Sequence, residues 1–218
     1  MQINWLGHSC FLINVQTEKN GPIKILIDPF DEKIGLKMPK VEADILLISH
    51  DHYDHNNKSA VKGDYFLIDS PGEFEVKGIY IEGISAFHDE QEGKERGAVT
   101  IYKIEAEDLK ICHLSDFCQK TLNSYQEEKI GEPDVLMVPV GGNFTLGPAE
   151  AWKVVQEINP KIIIPMHYKT PELKINLKGV KEFLKEAGQE DITLEKKLTI
   201  KKKDLEAKEM EIVILESK

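Results

Sequence analysis

Six consecutive residues, His50-Asp51-His52-Tyr53-Asp54-His55, contain three histidines and two aspartates. Imidazole nitrogens and carboxylate oxygens together form a donor set suited to zinc, manganese or iron. The stretch follows Ile45-Leu46-Leu47-Ile48, a short apolar run that predicts a buried strand. The chemistry therefore sits where a strand leaves its sheet. Side chains two apart on an extended chain point the same way, so His50 and His52 can grip one ion. Asp54 and His55 lie just beyond and diverge, which lets them face a second ion. A polar turn would explain the strand end but not this density of ligands.

Of the seven histidines, four lie elsewhere: His8, His88, His113 and His167. His88 follows a predicted strand, Ile79–Ala86, and His167 follows another, Lys161–Pro165. Asp116 comes just after Lys110–Leu114. All three occupy strand C-termini, as the first cluster does. Each has a plainer role open to it: a loop histidine for His88, a core histidine for His167, and a helix cap for Asp116. His113 reads as a sheet histidine.

The elements that must position these residues are mostly strands. Residues 2–15 read as a hairpin turning at Gly7-His8-Ser9, and Lys24–Asp28 as a third strand. Residues 28–40 read as a loop near the site, and Lys58–Val61 as a short helix. Tyr65–Ile68, Glu73–Val76 and Ile79–Ala86 are further strands, and Ala98–Glu105 with Lys110–Leu114 make a hairpin. Helices are predicted over Phe117–Lys129, from Pro148 through Ile158, where proline suits the first turn, and over Leu177–Ala187. Strands are predicted at Asp134–Val138 and Lys161–Pro165, and a final hairpin from Leu194–Lys203 and Glu209–Leu215. Strands interspersed with helices and no linker indicate one domain over residues 1–218, with two sheets face to face under helices.

Bulk properties narrow the function. Hydrophobic residues at 41% and charged residues at 30% describe a soluble globular chain. A formal net charge of −10 disfavours sequence-independent nucleic-acid binding. Three cysteines, Cys10, Cys112 and Cys118, without metal-knuckle spacing fit a reducing cytoplasm. Neither a signal peptide nor a membrane span is recognisable. A homo-oligomer is left open.

The H-x-H-x-D-H pattern resembles the signature of the metallo-β-lactamase superfamily. That resemblance implies an α/β (α+β) fold, a four-layer αββα sandwich, with metals at the edge of its sheets. The family's later ligands, a third histidine, a bridging aspartate and a last histidine, match His88, Asp116 and His167. Ser115 departs from the pattern, because the superfamily usually has glycine before the bridging aspartate. Gly7-His8-Ser9, Phe87-His88-Asp89 with a short loop to Arg96-Gly97, Pro139–Thr145 and Pro165-Met-His-Tyr168 look like one branch. It is the branch of zinc-dependent hydrolases that includes L-ascorbate-6-phosphate lactonase and, more distantly, N-acyl-phosphatidylethanolamine phospholipase D.

The implied cofactors are two divalent ions, zinc or else manganese. His50, His52 and His88 would hold one, and Asp54, His55 and His167 the other, with Asp116 bridging. The implied reaction is hydrolysis of a small-molecule lactone, ester or phosphodiester by hydroxide shared between the metals. Asp54, Asp116 and His8 are the expected catalytic residues, and Asn143, Thr145 and Tyr168 the expected substrate contacts. A ribonuclease-like phosphodiesterase and a di-iron redox protein of the same fold are the alternatives.

Overall fold

The computed structural model describes residues 1–189, 193–205 and 209–217. The first half of the chain supplies β1 (Gln2–Gly7), β2 (Cys10–Thr17), β3 (Gly21–Ile27), β4 (Val41–Glu42), β5 (Ile45–Leu47), β6 (Val61–Lys62), β7 (Phe66–Ile68), β8 (Gly72–Val76) and β9 (Ile79–Phe87). The second half supplies β10 (Ala98–Ala106), β11 (Leu109–His113), α1 (Ser124–Ile130), β12 (Val135–Pro139), α2 (Pro148–Ile158), β13 (Ile162–Met166), α3 (Val180–Glu186), β14 (Leu194–Glu195), β15 (Leu198–Thr199), β16 (Glu211–Ile212) and β17 (Ile214–Leu215). One six-stranded sheet runs β15-β1-β2-β3-β5-β7, and a seven-stranded sheet runs β16-β13-β12-β11-β10-β9-β8.

Alternation along the strands sorts side chains into layers. Phe11, Ile13 and Val15 of β2, Ile25 and Ile27 of β3, and Ile45 and Leu47 of β5 join the main core with the second sheet. Their neighbours Cys10, Leu26 and Leu46 join a separate cluster with Phe30, Ile34, Leu36 and Met38. The outer face of the first sheet is thus covered by the 29–43 segment, with its 3-10 turn at Glu32–Ile34. On the second sheet the cover is helical: Ala151, Val154, Val155 and Ile158 of α2 are buried at helical spacing. The mixed α/β architecture with two facing sheets is the expected one.

Two helices begin later than the sequence predicts. The helix predicted over Phe117–Lys129 begins only at Ser124, behind an Asn123–Gln126 capping box. The amide of Phe117 bonds to the Leu114 carbonyl (3.2 Å) and that of Cys118 to the Phe87 carbonyl (3.1 Å), which makes a turn locked to the sheet. No helix starts behind Asp116, so that residue caps none. The helix predicted from Leu177 begins at Val180. The Lys178 amide bonds to the Gly141 carbonyl (2.8 Å), and Leu177 buries in the outer cluster, so the segment is held extended across the loops.

The tail is not a hairpin. β15 pairs antiparallel with β1, β16 pairs parallel with β13, and β14 pairs parallel with β17. Alternation alone marks a strand but does not choose its partner. Residues 206–208, between the two predicted arms, lie outside the described residues. Among the described residues, no helix is long and apolar enough to cross a membrane.

Candidate metal centre

Five strand ends converge at one edge of the two sheets. β1 leads to His8, β5 to the 50–55 cluster, β9 to His88, β11 to Asp116 and β13 to His167. His8, Ser115 and His167 have φ near +50°, as does Asp28 at the end of β3. Non-glycine residues rarely adopt this left-handed conformation, and it concentrates at functional sites. Ser115 therefore occupies the backbone shape that a glycine would adopt freely.

The ring nitrogens close on a single carboxylate. Asp116 Oδ2 lies 3.3 Å from His55 Nε2, 3.4 Å from His88 Nε2 and 3.2 Å from His167 Nε2. His50, His52 and His88 form one group whose donor atoms lie within 4.8 Å of one another. His8, Asp54, His55 and His167 form a second, and His50, His55 and Asp116 join the two. His8 Nε2 is 3.2 Å from Asp54 Oδ2, and its ring lies 4.1 Å from that of His167.

The donor set fits a metal pair. His50 Nε2 and His55 Nε2 are buried without a hydrogen-bond partner, although burying such atoms unpaired is costly. Their opposite nitrogens are held from behind. Asp28, fully buried, accepts a hydrogen bond from His55 Nδ1 (3.1 Å) and others from the Ser49 amide (2.8 Å) and hydroxyl (2.7 Å). The Ser49 hydroxyl lies 2.9 Å from His50 Nδ1. A carboxylate behind a histidine fixes its tautomer and turns the other nitrogen toward a metal. Asp28 and Ser49 have no role in the sequence-based reading. Their signal was faint: an Asp-Pro step ending a strand and a serine ahead of the first histidine.

The electrostatics follow from burial and crowding. Burial, reinforced by the His55 charge, lowers His50 to about 3. Burial and the neighbouring His167 charge lower His8 to about 4, so its ring is neutral. Burial acts against charge on His55 too, but the Asp116 and Asp28 carboxylates outweigh it and push its pKa well up. Burial would raise Asp116, yet His167 and His55 hold it well below the usual carboxylate range. Asp54 is likewise lowered, because the His8 hydrogen bond and the His55 charge overcome burial.

A cleft of about 330 Å³ opens onto the cluster, lined by His52, Tyr53, Asp54, His88, Arg96, Asp116, Phe144, His167 and Ile175. A larger pocket of about 520 Å³, beside Leu6 and Leu36, contains none of the histidines. The structure thus brings together all seven expected ligands, with His8 beside them. It does not bring the expected substrate contacts to the cleft wall. Asn143 bonds to the Asn176 carbonyl, Thr145 is buried, and the Tyr168 ring packs 5.1 Å from Trp5. Phe144, between the first two, is the residue of that loop that lines the cleft. His113 is the sheet histidine expected, with Nε2 2.9 Å from the Ser9 carbonyl.

Comparison with known proteins agrees with this geometry. Residues 2–167 match the family described as the beta-lactamase superfamily domain. The chain belongs to the metallo-β-lactamase superfamily. Within it, the chain is 32% identical to a UPF0173 metal-dependent hydrolase of Thermococcus onnurineus, over 78% of this chain and 85% of that one. It is 31% identical to a UPF0173 metal-dependent hydrolase of Thermococcus kodakarensis, over the same shares. A crystal structure of a superfamily member from Thermotoga maritima, provisionally described as a Zn-dependent hydrolase, superposes with a TM-score of 0.79. It shares 37% identity over 99% of both chains.

Proposed function

We propose that this metallo-β-lactamase-fold protein is a metal-dependent hydrolase acting on a small-molecule lactone, ester or phosphodiester. His50, His52 and His88 would hold one divalent ion, and Asp54, His55 and His167 a second, with Asp116 between them. Zinc, or else manganese, suits these donors. The carrying observation is the single Asp116 oxygen within 3.4 Å of ring nitrogens from three strand ends, beside the orphaned nitrogens of His50 and His55. When bound, such a pair brings the pKa of water toward neutrality and polarises the bond to be cut.

The chain's own residues do the rest. Asp28 and Ser49 keep the ring nitrogens of His55 and His50 turned inward. Asp54, ionised and steadied by the neutral His8 ring, orients the attacking water. His8 acts through Asp54 and sets the direction of its carboxylate. Tyr53, Phe144 and Ile175 give the cleft an apolar rim that suits a small organic substrate. The acidic net charge and the size of the cleft count against an RNA substrate.

Elemental analysis of the purified protein, followed by turnover of lactone, ester and phosphodiester panels, tests the proposal. About two equivalents of zinc, with hydrolysis abolished by thorough chelation and restored by the metal, is the expected result. Hydrolysis that survives complete chelation would overturn it.

A further inference from the structure

Arg96 is the only arginine in the chain. Among the described residues, it is also the only lysine or arginine that lines the cleft over the histidine cluster. Its guanidinium carbon sits 5.5 Å from the centre of the Phe144 ring, another residue of the cleft wall. Among the described residues, its side chain makes no ion pair and no hydrogen bond. Glu90 of the same loop is taken by Lys120 at 2.9 Å. A guanidinium carries five N–H donors in a planar fork, and here none is spent on the protein.

The backbone beneath it is built to stay in place. Asp89, buried and adjacent to His88, accepts from the amides of Gln91 (2.8 Å), Gly93 (2.9 Å), Glu95 (3.0 Å) and Arg96 (2.8 Å). The loop closes where the His88 amide bonds to the Gly97 carbonyl (3.0 Å) and the Gly97 amide to the Gly93 carbonyl (3.0 Å). One carboxylate thus ties the Arg96 backbone to the strand end that carries His88. The Phe144 ring supports the guanidinium face without using its donors, since cation–π contact leaves the edge free.

We infer that the substrate carries an anionic group, a carboxylate or a phosphoryl, away from the bond that is cut, and that Arg96 grips it. This rests on the hydrolase reading of the cleft. The fork geometry matches either anion bidentately, which a lysine ammonium does not. In a chain of net charge −10, a lone unpaired guanidinium in the cleft wall selects anionic molecules and places them.

Calorimetric binding to the metal-loaded protein tests this with probes that differ in one remote group. Glutarate and 4-phosphonobutyrate are compared with valerate, and shorter and longer members of each series cover the unknown spacing. The wild type should favour at least one doubly anionic probe over its methyl-ended counterpart by about ten-fold. R96Q should erase that preference and R96K should keep part of it, with melting curves confirming that both fold. The series that gains more, carboxylate or phosphonate, identifies the anion. No preference in the wild type at any length, or a preference kept in R96Q, overturns the inference. Failure of the hydrolase reading would show separately, as absent turnover in the metal-loaded wild type, because binding is measured without catalysis.

Discussion

Replacing Asp28 with Asn tests how the histidine cluster is held. The two oxygens of Asp28 accept three hydrogen bonds: Oδ1 from the Ser49 amide, and Oδ2 from the Ser49 hydroxyl and His55 Nδ1. An asparagine has one acceptor oxygen and one NH₂ for these two places. With its oxygen toward the Ser49 amide, its NH₂ faces His55 Nδ1 and forces the proton onto Nε2, the atom proposed to hold a metal. With the oxygen reversed, the NH₂ faces the Ser49 N–H, and two buried donors oppose each other. Either arrangement costs about 1–3 kcal/mol. The backbone adds nothing, because asparagine tolerates the left-handed φ of 46° as well as aspartate does. Stability lost on this scale lowers Tm by about 2–4 °C per kcal/mol in a chain of this size. Loss of a supporting carboxylate weakens metal binding by about 10–100-fold. Chelator competition with zinc on the wild type and D28N reads the affinity directly. A D28N affinity within about two-fold of the wild type would refute the view that Asp28 sets the His55 tautomer.

Two further predictions concern protons and backbone. His55 has a folded pKa raised above its unfolded value, so its stabilisation is present below about 6.5 and is lost as pH rises through the folded value. A cation must displace that proton, so zinc affinity should climb with pH across neutrality, and a flat titration would contradict this. Asp28 and Asp116 are depressed, so their contribution is present above about 3.9 and is lost as pH falls through their folded values. Chelated protein should melt earlier at both extremes, and loaded protein should lose the alkaline decline. S115G should relieve a left-handed serine at φ 52° and delete a buried, unpaired hydroxyl. Glycine's greater unfolded-state entropy offsets part of the gain, leaving about 1 kcal/mol of stabilisation. A lower melting temperature for S115G would refute the strain at that position.

The cluster was legible in the sequence because its members each end an apolar run. Ile45–Ile48, Ile79–Ala86, Lys110–Leu114 and Lys161–Pro165 are visible as strands, so His50, His88, Asp116 and His167 could be placed together. Asp28 was not legible in this way. Its partners lie 21 and 27 residues away, and only the folded sheet brings them within bonding distance. The late start of α1 was hidden because Phe117 and Cys118 look helical in composition but spend their amides on Leu114 and Phe87. Tyr168 sits one residue after His167 and so looked like a site residue. Adjacent side chains diverge at a strand end, and its ring went to Trp5 instead.

The division of the tail between both sheets matters while the chain is being made. β15 seals the edge at β1 and β16 the edge at β13, the two strands that end at His8 and His167. A ribosome that has released residues 1–189 has produced every proposed ligand but has left two sheet edges bare. Bare edges pair with other chains, so this nascent form is the aggregation-prone one. Stop codons before Leu194 should therefore yield inclusion bodies rather than a soluble, merely weakened enzyme. The last strands thus cover both sheets beside the two strand ends that carry His8 and His167.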